Sequence, residues 1–239
     1  MSELKNHINT YQTNTDYAND VSKDYPNISY IEGTDELKWN KYDPEHIVCV
    51  YNVTSTESAT KLLNSTTNIT YQIIDGVQQQ SIQTTYTFDT LGEHIVKYKL
   101  SGTYIDNYAF SGCSSLASVT IPEGVTGIVG REAFKRCTNL TSVVLPNSIT
   151  RIDADTFYQC TSLASITIPS GITYIGSDTF YQCTSLASIT VEATTPPSVF
   201  NNSFTYTNNC PIYVPAESVD AYKTTGNWVS LASRIQPIS

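Results

Sequence analysis

The residues of this chain that could do chemistry recur at fixed intervals. Cysteines stand at Cys113, Cys137, Cys160 and Cys183, in steps of 24, 23 and 23 residues. A thiol can pair as a disulfide or ligate zinc, and each use imposes its own geometry. Zinc needs ligands that converge, whereas one cysteine per interval places the sulfurs along a line. Neighbouring strands of a stack lie about 4.8 Å apart, which permits a cross-link by distance, but parallel Cβ vectors fit disulfide geometry badly. The four are expected to be small buried hydrophobes that stay free thiols. Cys49 and Cys210 fall in other regions and are expected to be unpaired. A second row, Glu132, Asp155 and Asp178, gives one carboxylate per interval. Such a ladder could be proposed to bind calcium, but its place at turns is better explained by capping a short helical turn. The histidines, His7, His46 and His94, lie in different segments. The last two read as surface strand positions, without a cysteine or serine nearby in a nucleophile motif. There is no glycine-rich phosphate loop. No catalytic residue, metal site or cofactor is assigned. Tyr158, Tyr174 and Tyr181 lie close together; such residues either supply contact area at low entropic cost or pack flat along the outside.

What positions these residues is a unit written four times between about Ile105 and Val191. Three residues after each cysteine comes Leu116, Leu140, Leu163 or Leu186. Three further on comes Val119, Val143, Ile166 or Ile189, and two further on Ile121, Leu145, Ile168 or Val191. Pro122, Pro146 and Pro169 close the first three copies, and Phe110, Phe134, Phe157 and Phe180 each precede a cysteine by three. Self-similarity at a period of about 20–30 residues marks a solenoid, whose units bury their apolar faces only by stacking. In Leu163-Ala-Ser-Ile-Thr-Ile-Pro169 the alternation predicts a short strand that proline ends. Gly171–Ile175 predicts a second extended arm and Asp178–Cys183 a short helical turn. Ile128 precedes Phe134 by six residues, where later copies show five, so a one-residue bulge or insertion is placed near Val129-Gly130. Leu163 is expected to be buried between Leu140 and Leu186.

The pattern Cys-x-x-Leu-x-x-Ile-x-Ile-Pro, followed by a β-branched pair and Ala/Thr-Phe, resembles the BspA-like (Treponema-type) leucine-rich repeat over roughly residues 102–239. That resemblance implies a curved solenoid used for adhesion or protein binding, without catalysis, in surface proteins of gut and oral anaerobes and in their phages.

The flanking regions complete a mainly β fold: a small Ig-like β-sandwich, then a short leucine-rich-repeat solenoid with a C-terminal helical cap. Residues 1–45 form an amino-terminal arm or attachment segment, with a short helix over 15–22 and a hairpin whose arms flank Gly33. Residues 46–101 read as several short strands with turns between them, Asp75-Gly76 being a hairpin turn and Ser81–Phe88 its return strand. Tyr86–Tyr98 resembles the closing hairpin of bacterial immunoglobulin-like and PKD-type modules. Residues 102–191 are the repeats. Residues 192–239 are a degenerate fifth coil through Phe204 and a cap, in which Pro211–Pro215 is a last strand, Ala216–Lys223 a helix, and Trp228, Leu231 and Ile235 close the open end.

Only 15% of the 239 residues are charged and the net charge is −9, which suits an exposed β-rich surface and disfavours nucleic acid. No apolar run reaches the ~18 residues of a membrane span. The start, Met-Ser-Glu-Leu-Lys-Asn-His, lacks the apolar core of a secretory signal. The expectation is therefore a non-catalytic binding or adhesion protein displayed on a virion, as a phage fibre, decoration or tail-associated protein made in the host cytoplasm and held by its amino-terminal segment. The alternative is a cell-surface leucine-rich-repeat adhesin of a gut anaerobe. Either would recognise a protein or glycan surface. The candidate recognition residues are the outward strand positions Ser118 and Thr120, Ser142 and Val144, Ser165 and Thr167, Ser188 and Thr190, which β propensity alone would also place there. A second set is the positions that vary between coils: Gly127, Arg151 and Tyr174 at one, Lys135, Tyr158 and Tyr181 at the other.

Overall fold

The structure, a computed structural model, describes residues 28–31, 36–39, 43–126 and 128–238. The chain divides into two units, 1–43 and 44–239. In the first, β1 (Ile28–Ile31) and β2 (Glu36–Trp39) pair antiparallel, with Ile28 opposite Trp39. This is the expected hairpin; the expected helix over 15–22 lies outside the described residues, as does most of the attachment segment.

The second unit opens with β3 (Ile47–Val53), β4 (Thr60–Lys61), β5 (Ile69–Ile74), β6 (Val77–Gln78), β7 (Thr85–Tyr86) and β8 (Gly92–Leu100). Asp75 and Gly76 join β5 to β6 with both φ angles positive, 44° and 82°, the geometry of a two-residue hairpin turn. The return strand is not Ser81–Phe88 but the two residues Val77–Gln78, and the strand within 81–88, Thr85–Tyr86, pairs with Thr60–Lys61 instead. Gln72, fully buried, explains this: its side-chain amide takes both backbone groups of Gln83, accepting from the N–H at 2.8 Å and donating to the C=O at 3.2 Å. The backbone there is diverted from the ladder. The strands run β6-β5-β8-β3, and β3 then pairs antiparallel with the first repeat strand, Cys49 opposite Val119. The expected Ig-like sandwich of two packed sheets is thus replaced by one antiparallel sheet that continues into the repeats. Outside that sheet this region holds only the two-residue ladder β4–β7.

Each coil of the repeats carries two short strands. The first series is β9 (Leu116–Thr120), β11 (Ser142–Val144), β13 (Ser165–Ile168), β15 (Ser188–Val191) and β17 (Ile212–Val214); the second is β10 (Ile128–Val129), β12 (Arg151–Ile152), β14 (Tyr174–Ile175) and β16 (Ser198–Val199). Successive members pair in parallel, Ile166 beside Ile189 beside Ile212, and Val129 beside Ile152 beside Ile175 beside Val199. Val129, not Ile128, stands in the column of Ile152, and five residues separate it from Phe134. The extra residue therefore lies before β10, in the turn after Pro122, not at Val129-Gly130. In the first series the ladder is broken between β11, at the end of the six-stranded sheet, and β13, at the start of the next. A single bond from Ala164 N–H to Thr141 C=O, 3.3 Å, bridges the break.

The core is a set of columns. Phe110, Phe134, Phe157, Phe180 and Phe204 stack at 5.1–5.5 Å with rings within 9° of parallel. Leu116, Leu140, Leu163 and Leu186 form a second column and the four cysteines a third, all without solvent exposure. The expected helical turn is absent. In its place are consecutive tight turns, with i to i+3 bonds such as Ala133 N–H to Gly130 C=O and Cys137 N–H to Phe134 C=O. Glu132, Asp155 and Asp178 each sit at φ 57°, and Arg136, Gln159 and Gln182 at 57–58°. The acidic residues are therefore left-handed turn residues, not helix caps. Bonds to the next coil hold them there: Glu132 N–H to Ala154 C=O, Arg136 N–H to Tyr158 C=O.

The carboxyl end holds short helical segments and a final strand. Ala216–Ser218 is a 3-10 turn, α1 (Val219–Thr224) a short helix, and Gly226–Arg234 a second 3-10 segment. Then β18 (Ile235–Pro237) adds a parallel strand beyond β17. Trp228 and Ile235 are buried and Leu231 is half-buried. The Trp228 indole donates to Pro197 C=O at 2.7 Å, and Tyr222 to Ala193 C=O at 2.7 Å.

Candidate binding surface

Three outward rows of side chains run along the coils, because parallel pairing in register puts equivalent residues of successive coils side by side. On the strand face, Ser118 pairs with Ser142 and Thr120 with Val144; Ser165 pairs with Ser188 and Thr167 with Thr190. Ser142, Val144, Ser165 and Thr167 are exposed; Ser118, Thr120, Ser188 and Thr190 are half-buried. The break between β11 and β13 divides these eight positions into two groups of four. The row does not end with the fourth copy: Tyr213 lies beside Thr190 and Gln236 beside Tyr213.

Along the second strand series, Ile128 pairs with Arg151, and Arg151 with Tyr174. Ile128, not Gly127, is the register partner of Arg151. The Arg151 guanidinium lies 3.7 Å from the Tyr174 ring centroid and pairs with Asp153, and the Tyr174 ring meets Phe200 at 4.8 Å. Phe200 is 42% exposed. The row thus presents a cation–π contact leading into two aromatic rings.

The third row follows the turns. Lys135 Nζ stands 4.8 Å from the Tyr158 ring; Tyr158 and Tyr181 stack at 5.1 Å, 7° from parallel; Tyr181 meets Tyr206 edge-on at 5.2 Å. Beside it runs an amide row, Arg136 donating to Gln159 and Gln159 to Gln182. The tyrosines do not line the core, which the phenylalanines fill from the adjacent position.

Two of the three repeat carboxylates are held in ion pairs. Glu132 and Asp155 pair with Lys135 and Arg131, the shortest contact being Lys135 to Glu132 at 3.0 Å. Partial burial pushes the Asp155 carboxyl up, against the pull of Lys135. The six cysteines are buried free thiols. Three of the repeat cysteines donate to the phenylalanine carbonyl of the preceding coil: Cys137 to Phe110, Cys160 to Phe134 and Cys183 to Phe157, at 3.1–3.2 Å. His46 and His94 are buried, not surface positions. His94 is held by Asp75 at 2.6 Å and Thr90 C=O at 2.9 Å, and His46 by Tyr71 at 2.7 Å. They pin the amino-terminal sheet.

Two further features of the coils do not stand out in the sequence. Thr156, Thr179 and Ser203 form a buried hydroxyl column that donates to carbonyls of their own and the preceding coil. In the last coil Thr207 takes the cysteine position and Cys210 the leucine position. Counting three and six residues on from Phe204 finds both.

A family model described as the BspA type leucine rich repeat region matches residues 85–211, in six copies. The chain belongs to the BspA-type leucine-rich repeat family. The match begins inside the stretch that resembled an immunoglobulin-like closing hairpin, so the BspA-type pattern reaches further towards the amino terminus than the four legible copies. No curated protein matches the chain. Among solved structures, a leucine rich repeat protein of Treponema pallidum is 24% identical over 63% of this chain and 64% of its own, with a TM-score of 0.46. A leucine rich cell surface protein of Faecalibacterium prausnitzii is 28% identical over 57% of this chain and 33% of its own, with a TM-score of 0.42. A leucine-rich repeat protein of Bacteroides capillosus is 23% identical over 54% of this chain and 97% of its own, with a TM-score of 0.36. The BspA-type chain described here spans 64% of the length of the Treponema protein. No helix among the described residues is long and apolar enough to cross a membrane.

Proposed function

We propose that this protein is a non-catalytic binding protein presented at a bacterial cell surface, recognising a protein or glycan through the outward rows of its coils. Membership of the BspA-type family supports this reading over display on a virion, which neither the family nor the fold favours. The observation that carries it is the Tyr158–Tyr181–Tyr206 row with Lys135 over its first ring. Large rings held in contact with one another lose little freedom when a partner arrives, and the core does not need them. The Arg151–Tyr174–Phe200 row has the same character, and the serine and threonine strand face is the remaining candidate.

The test is twofold. Antibody raised against the purified chain should label intact producing cells, and the labelled full chain should be retained on mucin-coated or collagen-coated wells. Labelling only after permeabilisation, with no retention on either coating, would remove the reading. The outward faces are separated by Thr167→Arg with Thr190→Arg and by Arg151→Ala with Tyr174→Ala.

A further inference from the structure

An open groove of about 1070 Å³ lies between the last coil and the carboxyl-terminal segment. Its size is that of a site for a small ligand, for which roughly 300–1,000 Å³ is usual. Two outward rows end in it. Tyr206 closes the turn row from one side and Tyr213 the strand row from the other, with Asn208, Asn209 and Gln236 between and beside them.

Both tyrosines depart from the repeat. Tyr206 stands where earlier coils carry Arg136, Gln159 and Gln182. Tyr213 stands where they carry Thr120, Val144, Thr167 and Thr190. The two departures occur in one coil and line one groove. Neither packs the core: Tyr206 is 61% exposed and Tyr213 half-buried.

The chemistry of the lining selects among ligands. Arg234 is the one charged residue lining it. Its guanidinium donates to Cys210 C=O at 2.9 Å, Phe204 C=O at 3.2 Å and the Thr207 hydroxyl at 2.9 Å. It therefore ties the carboxyl-terminal segment to the last coil, and the net charge of −9 gives an anion no general attraction. A peptide adding as a strand would need a free ladder edge. β17 is paired on both sides, and the outer strand β18 carries Pro237, which has no amide hydrogen. What the groove offers is two aromatic faces with amide and hydroxyl groups that both donate and accept. Aromatic faces carry negative quadrupole charge and attract the polarised C–H face of a pyranose, while the amides match its hydroxyls.

We propose that this groove is a saccharide site that takes a neutral oligosaccharide, its rings against Tyr206 and Tyr213 and its hydroxyls on Asn208, Asn209 and Gln236. The proposal deepens the reading of the chain as a non-catalytic binding protein and rests on it.

The test is affinity electrophoresis of the full chain in gels containing mixed-linkage β-glucan, galactomannan, amylopectin or α-mannan, with polygalacturonate and chondroitin sulfate as anionic probes. At least one neutral polymer should retard the protein. Retardation should weaken about tenfold or more in Tyr206→Ala and in Tyr213→Ala. Tyr206→Phe, which keeps the ring, and Leu91→Ala, an exposed position far from the groove in sequence and outside every outward row, should leave it intact. The proposal is overturned if no neutral polymer retards the chain, if only the anionic polymers do, or if retardation survives both alanine variants. Retention on mucin or collagen through Tyr158 and Tyr181 is measured separately, so a failed groove leaves the wider reading standing, and loss of all retention removes both.

Discussion

The thiols of Cys137, Cys160 and Cys183 serve two purposes. Each fills a small apolar position, and each offers a weak second donor to a phenylalanine carbonyl that already accepts a backbone N–H within its own turn. Burial pushes the Cys113 and Cys183 thiols up to about 12, and raises those of Cys137 and Cys160 well above the usual thiol value. Thiolate is the reactive form, so iodoacetamide at pH 8 should leave the native protein unmodified and alkylate all six cysteines in denaturant. The same shifts set a pH dependence. Unfolded thiols ionise near pH 9.0 while native ones stay protonated to about 12. Between those values the unfolded chain binds fewer protons, so their stabilising contribution is whole below pH 9 and is lost as pH rises through the native value. Urea midpoints measured from pH 7 to 11 should be level at first and then fall. The hydroxyl column makes a sharper case. Thr156 Oγ1 donates to Asp153 C=O at 2.7 Å and Gly130 C=O at 3.1 Å. Thr156→Val keeps the shape and removes both bonds, while Ala133 N–H still serves Gly130 C=O and Thr179 Oγ1 still serves Asp153 C=O; the expected cost is about 1 kcal/mol, whereas Thr156→Ser should cost less, and urea unfolding of both variants decides it.

At the scale of elements, stability resides in columns that join one coil to the next. Leu163, fully buried, lies between Leu140 and Leu186. Leu163→Asp should lose about 3–5 kcal/mol, because an uncompensated carboxylate enters an apolar stack. A melting temperature close to that of wild type would contradict the column. These columns were legible because Phe, Cys, Leu and Ile repeat at intervals that periodicity alone exposes. The turns were not. Glu132, Arg136, Gln159 and Gln182 have no preference for the left-handed region; they occupy it because the next coil's carbonyls fix their amides, a constraint invisible in any one copy. The pairing of β3 with β9 was hidden for a related reason. Alternation in 47–53 predicts a strand, but nothing local says that its partner lies some seventy residues on. The side chain of Gln72, which shortens the return strand of the β5–β6 hairpin, is likewise a tertiary device.

Across the repeat-bearing unit, both ends of the stack are closed by different means. At the amino end Tyr98 packs on Phe110 at 5.4 Å, and Lys61 donates to Ser111 C=O at 2.7 Å. At the carboxyl end Trp228 covers Phe204 at 5.6 Å, and Arg234 donates to the carbonyls of the last turn, where a further coil would have supplied a donor. Repeat arrays need such closures for solubility. Arg234→Met keeps the length of the side chain but removes these donors; it should cost about 2–4 kcal/mol and make the carboxyl-terminal segment exchange its amides first, as hydrogen exchange would report. The candidate surface was only partly readable. Ser165, Thr167, Arg151 and Tyr174 face outward because strand alternation requires it, and Tyr158 and Tyr181 because they follow a buried phenylalanine. The Tyr206–Tyr213 groove was not, since it exists only where the last coil departs from the repeat and the carboxyl-terminal segment folds back beside it.

The most direct test of recognition by the outward rows compares Tyr158→Ala/Tyr181→Ala with wild type, measuring retention on the coated wells and thermal unfolding on the same samples. The rings touch each other and not the core, so their loss should cost about 1 kcal/mol, or roughly 2–4 °C in melting temperature. Retention should fall about tenfold or more with the fold intact. Undiminished retention in a folded double variant, or unfolding of that variant outright, would contradict the account: the first would place recognition elsewhere, and the second would make the tyrosines part of the scaffold.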